Sequence, residues 1–298
     1  MRDGAQSRAS NWGRWGDEDE RGALNLIGPE QVCRAAQLVR AGRVFQLGLS
    51  VQAVGVPRYP TRPPAVHLMM RDGGDYLAGA IRPGNVGTAD DYLGLATHGT
   101  THIDALSHLW YDSALYNGVH PREVLSSGAS RNGIDKIGPI VARGVLLDVA
   151  GAAGLERLPG GHAIGVEELE DCLERQRVEV GAGDVVLVRT GWLTQFADDA
   201  DVYNGPQPGL AVSTVPWLVE RDVAVVGADN YAVECLPDPA GGNVPLHQRL
   251  LRDYGVHLIE LLDLEELAAA RAWEFLFIAA PLRITHGVGS PLNPVAVT

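Results

Sequence analysis

Five short, strongly apolar runs, Gly144 to Val149, Asp184 to Arg189, Val223 to Gly227, Val256 to Leu261 and Phe275 to Ala280, restrict the second half of the chain more than any other feature. Each is β-rich and of strand length. Helical patterns fall between several of them. Val166 to Arg177 places Val166, Leu169, Cys172 and Leu173 on one face, and Ser213 to Glu220 opens with a cap-like serine. Asp263-x-x-Glu266 is an acidic variant of the capping box ahead of an alanine-rich helix. Strands alternating with helices predict an α/β fold, and a strand-dense first half predicts a mixed central sheet or barrel-like β core flanked by helices.

The first half is less regular. Pro29 to Val39 reads as a helix, with proline in its first turn and Val32, Ala35, Ala36 and Val39 at helical spacing. Val44 to Val51 reads as a strand. Val54 to Asp91, rich in Pro, Gly, Arg and Asp, is expected to form long loops that contact substrate. Asn11 to Gly28 has no periodicity and is expected to wrap the surface or a neighbouring subunit. With no linker rich in Pro, Gly and Ser, residues 1–298 are expected to form one domain with 1–28 as an N-terminal arm.

A net charge of −13 without a basic stripe opposes binding to nucleic acid. No apolar run approaches the roughly 20 residues needed to cross a bilayer. Met1 to Asn11 lack the apolar core of a secretion signal, so a cytoplasmic location is expected. Cys33, Cys172 and Cys235 are too few and too far apart for a disulfide framework, and are expected to be buried thiols.

Chemistry concentrates in eleven residues, His98-Gly99-Thr100-Thr101-His102-Ile103-Asp104-Ala105-Leu106-Ser107-His108, with the spacing His-x3-His-x-Asp-x3-His. A fully extended chain would hold the Cα atoms of His98 and His102 roughly 13 Å apart. A turn is therefore expected there, eased by Gly99. A helix starting at Thr101 would set Asp104 and His108 one turn apart on a common face. Imidazole with carboxylate suits zinc or manganese, whereas calcium takes mostly oxygens. The alternative is a metal-free hydrogen-bonded network or a structural site.

In the run Val256 to Leu262, period-two alternation sets Glu260 on the same face as Val256, Leu258 and Leu262. A carboxylate so buried needs an arginine or a metal ion beside it. His67, His120, His162, His257 and His286 have no ligand-spaced partner and read as loop or surface residues. Asp229, at the end of an apolar strand, reads as a cap, a turn or a binding group. Trp12 and Trp15 read as staples for the arm.

The segment His98 to His108, continued by Tyr116-Asn117-Gly118, resembles the signature of the metal-dependent cyclase/hydrolase family that includes bacterial kynurenine formamidase and isatin hydrolase. Further blocks extend the resemblance over most of the chain: Gly22-Ala23-Leu24-Asn25-Leu26, Val188 to Trp192, Gly227-Ala228-Asp229 with Glu234, Ala280-Pro281-Leu282 and Gly289-Ser290-Pro291. One position departs, since Thr100 stands where the family motif usually has glycine. The resemblance implies a swivelling β/β/α fold and a first metal site of His98, His102 and Asp104. It also implies a second site, bridged by Asp104 and completed by His247 and Glu260, so that one or two ions bind per chain. His108 is implied as proton donor and acceptor.

Three protein ligands leave open positions on an ion, and water bound there ionises near neutral pH, so attack on an amide, lactam or lactone carbonyl is expected. His108 would exchange the proton. The expected activity is hydrolysis of a C–N bond in an amide, possibly a cyclic or aromatic one. A lactonase or polyketide-type ring cyclase is the enzymatic alternative, and a non-catalytic metal-containing binding protein is the alternative of another class. A homo-oligomer, dimer or tetramer, is expected, with a small-molecule substrate as the other partner.

Overall fold

The computed structural model describes residues 9–80 and 86–298. Eleven strands build the site and its rim: β1 Val44–Gln46, β2 Val66–Arg71, β3 Asp90–Gly94, β4 His102–Asp104, β5 Ile140–Asp148, β6 Val185–Arg189, β7 Val225–Ala228, β8 His257–Glu260, β9 Glu274–Ala279, β10 Gly289–Pro291 and β11 Val295–Val297. Nine of them form one curled sheet in the order β1-β11-β9-β5-β6-β7-β8-β4-β10. The central four, β5 to β8, run parallel, and the flanking pairs are antiparallel. The mixed α/β sheet expected from the sequence is thus present. All five apolar runs of the second half are strands within it.

Parallel strands bury both faces, which is why β6 and β7 read as unbroken apolar runs. Val186, Val188, Val226 and Leu258 pack with Leu169, Cys172 and Leu173 of helix α1 (Val166–Gln176) and with Trp217 and Leu218 of α2 (Val215–Glu220). The opposite face, with Leu187, Val225, Ile259, Phe275 and Phe277, packs on Ile103 and Leu267. The N-terminal helix covers Pro29–Ala36, ending three residues earlier than expected. Among the described residues, no helix is long and apolar enough to cross a membrane.

Several local expectations are corrected. The segment after Thr101 is a strand and a turn, because Ile103 is drawn into the apolar core while its neighbours face the other way. Val54 to Asp91 is not all loop: β2 and β3 pair as an antiparallel ribbon whose side chains are almost all exposed. Ser213 does not cap α2; the residue before that helix is Thr214, which makes no side-chain cap. Asp263 accepts the Glu265 amide without a reciprocal bond from Glu266. Cys33 is exposed, although Cys172 and Cys235 are buried.

The arm is a strap. The Trp12 indole donates to the Arg252 carbonyl at 2.7 Å and lies under its guanidinium, whose carbon is 4.4 Å from the ring centroid. Asn117, at φ 59°, accepts from the Gly13 amide and donates to the carbonyls of Gly16, Asp17 and Asp19. Residues 1–8, which the sequence assigns to the same arm, lie outside the described residues.

Candidate metal centre

Polar groups collect where the parallel strands end, as open α/β sheets allow. Glu260 closes β8, and the antiparallel register pairs it with His102 of β4. Alternation along His102-Ile103-Asp104 then sends His102 and Asp104 to one face and Ile103 to the core. A strand thereby achieves the convergence that a helix was expected to provide. On the other edge of β4, Asp104 pairs with Gly289, where an added Cβ would collide with Nε2 of His98. Glycine there makes room for the imidazole. His98 arrives on a turn closed by the Gly99 amide and the Ala96 carbonyl (2.9 Å), and His108 on one closed to Ala105 (2.9 Å). His247 ends the turn Pro245–His247, where the chain enters a π-helix over Gln248–Tyr254.

Three of these histidines are oriented through Nδ1. His98 Nδ1 meets the Thr97 hydroxyl at 3.0 Å, and His102 Nδ1 donates to the Thr100 carbonyl at 2.7 Å. His247 Nδ1 donates to Glu234, whose carboxylate also accepts the amides of Leu246 and His247. Nε2 of all three is turned toward two carboxylates. His98 Nε2 lies 3.1 Å and His102 Nε2 3.5 Å from Asp104 Oδ1; His102 Nε2 lies 3.2 Å from Glu260 Oε2. His247 Nε2 lies 3.0 Å from Glu260 Oε1 and 3.7 Å from Asp104 Oδ2. The His108 ring stacks on His98 with centroids 4.1 Å apart.

These contacts leave four buried atoms without a hydrogen bond: His98 Nε2, His102 Nε2, Asp104 Oδ1 and Asp104 Oδ2. The 3.1 Å approach of His98 Nε2 to Asp104 Oδ1 is therefore not a directed bond. Donors around a tetrahedral zinc ion, bonded at about 2.1 Å, lie about 3.4 Å from one another. The observed separations bracket that value. His98, Asp104 and His108 can present donors to one point, and so can His102, Asp104 and Glu260. The donor set fits one or two divalent ions. His108 sits close enough to ligate, so geometry alone leaves both of its roles open.

Electrostatics keep the carboxylates ionised. Burial would raise the Asp104 carboxyl, but His108, His98 and His102 outweigh it and hold it well below 3.8. Burial likewise opposes ionisation of Glu260, yet His102 and His247 bring it down to about 2. His247 is buried, but Glu234 and Glu260 lift it to about 10. His108 moves the other way: burial lowers it to about 4, so it is neutral at physiological pH and able to accept a proton.

The other candidates separate cleanly. His257 is no surface residue: it is buried in β8, with Nδ1 2.8 Å from the Asp104 carbonyl and Nε2 3.3 Å from that of Arg21. His67 and His162 pair with Asp91 and Glu168, His120 accepts the Arg122 amide, and His286 is exposed. Asp229 is a buried turn anchor, accepting the Thr190 amide and hydroxyl and the Gly191 amide. In the sequence Glu234 stands out only as part of a family block; its buried position after β7 gives no alternating pattern that would flag it.

Residues 45–235 match the model of the family described as "Putative cyclase". A crystal structure described as that of a novel cyclase superposes with a TM-score of 0.91 at 39% identity, covering 98% of this chain and 100% of that one. Isatin hydrolase from Roseibium aggregatum is 33% identical over 132 residues, 42% of this chain and 48% of that protein, so the match spans about half of that relative's length. Isatin hydrolase A from Labrenzia aggregata, bound to benzyl benzoate, shares the fold at a TM-score of 0.63 and 22% identity, covering 89% of this chain and 96% of that one. With the family model matched over more than half of the chain, the protein belongs to the cyclase family.

Proposed function

We propose that this chain is a metal-dependent hydrolase that cleaves the C–N bond of an amide or lactam. One observation carries the reading: four buried, unpaired donor atoms of His98, His102 and Asp104 face one another at separations suited to a divalent ion. His98, His102 and Asp104 would hold zinc or manganese, and Asp104 with His247 and Glu260 would hold a second ion. When bound, such an ion polarises a carbonyl and lowers the pKa of water toward 7.

The chain's own groups do the rest. His108, neutral and only partly buried, accepts a proton from the attacking water and returns it to the leaving nitrogen, which must be protonated to depart as an amine. Glu234 fixes the His247 ring so that Nε2 faces Glu260. Beyond Glu260, Leu261 packs in a buried cluster with Trp192, Tyr203 and Tyr231. The relationship to an isatin hydrolase supports a lactam or aryl amide as substrate.

The test is a screen of metal-free protein, with and without added zinc or manganese, against N-formyl aryl amides, isatin-like lactams, cyclic imides and lactones. Metal-dependent release of amine from an amide or lactam is the expected result. Turnover of lactones alone would overturn the C–N assignment.

A further inference from the structure

A guanidinium taken partly out of water needs a counter-charge, and the chain supplies one almost everywhere. Ten arginines among the described residues are partly or fully buried, and eight of them pair with a carboxylate: Arg14, Arg71, Arg131, Arg143, Arg157, Arg189, Arg221 and Arg252. The two that do not are Arg58 and Arg62, four residues apart in one loop. That loop lies against the candidate metal centre. Arg62 Nη1 donates to the carbonyl of His98 at 2.7 Å, and Arg58 Nε donates to the Arg62 carbonyl at 3.2 Å. A weaker bond joins Arg58 Nη1 to the Ala53 carbonyl at 3.4 Å.

Carbonyls satisfy some donors but carry no net charge. Among the described residues neither guanidinium meets a carboxylate, and that of Arg62 stands at the His98 carbonyl, in a chain whose net charge is −13. Each guanidinium has five N–H donors, so most remain uncommitted. An aromatic surface lies next to them: the Arg62 guanidinium carbon is 5.5 Å from the Tyr59 ring centroid, and Tyr59 meets Tyr231 edge-on at 5.3 Å.

Resting on the hydrolase reading above, we infer that Arg58 and Arg62 form an anion subsite that selects substrates bearing a carboxylate away from the scissile bond. The planar fork of arginine matches a carboxylate and binds it through charge-assisted hydrogen bonds. Tyr59 and Tyr231 would hold the flat part of the same molecule. Arg62 also ties the loop to His98, so its substitution has to be read through discrimination between ligands, not through activity alone.

Two matched pairs provide that test. N-formyl-aminobenzoate and N-formyl-aminobenzamide differ in charge at one ring substituent, and benzoate and benzamide serve as non-reacting probes for calorimetry on the metal-loaded protein. Wild type should favour the carboxylate of each pair. In the double variant Arg58→Gln/Arg62→Gln that preference should fall about 10–100-fold, as expected for loss of hydrogen bonds to a charged group. Arg62→Lys should restore part of it. A wild type indifferent to the charge, or variants that weaken both members of a pair equally, would overturn the subsite and leave the arginines as loop ties. If wild type hydrolyses neither amide yet still prefers benzoate, and the double variant does not, the subsite stands and the hydrolase reading falls.

Discussion

The parallel strands β5 to β8 and the rim segment 49–96 meet at the same centre but are built on opposite terms. Every residue of β6, β7 and β8 is buried, and the charged groups at their ends are held from several directions. Among the described residues of 49–96, Pro57 alone is buried, and β2 and β3 pair only with each other. The sheet can therefore fix rotamers to the accuracy that metal ligation needs. The rim is joined to it by few bonds, among them Arg62 to His98 and the Leu49 amide to the Thr101 hydroxyl (2.8 Å). On the proposed function, chemistry would belong to the first region and selectivity to the second, a division typical of sites carried by a rigid scaffold and finished by loops.

The contrast can be broken most readily at His108. On the proposed mechanism, in which this residue moves a proton and does not hold the ion, His108→Ala should lower turnover about 10²–10⁴-fold while metal content stays at the wild-type level. Parallel loss of metal would make it a ligand. Packing supplies the next largest effect. Ile259→Ala removes a fully buried side chain of β8 and should cost about 2–5 kcal/mol in denaturant titrations, whereas Leu68→Ala on exposed β2 should cost no more than about 0.5 kcal/mol. Equal costs would show that the rim is as tightly integrated as the sheet.

Asp229 sharpens the same comparison through pH. Burial raises its carboxyl to about 6, so the folded protein holds that proton more tightly than the unfolded chain does. Ionisation then opposes folding, and its contribution should decline by roughly 3 kcal/mol as pH rises from about 4 to about 6, levelling above. Urea titrations of wild type and Asp229→Asn across that window should diverge by this slope; parallel curves would place the ionisation elsewhere. The smallest functional effect is expected at Glu234. Glu234→Gln keeps the shape but weakens the hold on His247, and metal affinity should fall about 10–100-fold. Unchanged affinity would mean that His247 needs no such anchor.

Much of this was legible in the sequence because its signals were local and repetitive. The five apolar runs are strands, and the spacing of His98, His102 and Asp104 alone announces a shared site. Glu260 was legible for a different reason: a carboxylate in an alternating apolar strand demands a partner, and in place of an arginine, one of the two expected partners, the structure sets His102 and His247 beside it. What escaped depends on register and approach between distant segments. His257 looks unremarkable until the arm and β4 close over it, and Gly289 gains meaning only when β10 is laid beside His98. The expected helix at Thr101 failed because both periodicities could bring Asp104 toward a neighbour. Pairing with β8 and β10 selected the strand.

Metal content is the most direct measure of whether the buried histidines and carboxylates hold an ion. Metal-free protein should be loaded with zinc or manganese, passed through a desalting column and analysed for bound ions beside His98→Ala and Asp104→Ala, with circular dichroism confirming that all three are folded. One or two ions per wild-type chain are expected, with loss of the first in His98→Ala and of both in Asp104→Ala, the residue that would serve both sites. Folded wild type that retains no ion, or an Asp104→Ala variant that retains the full complement, would contradict that expectation.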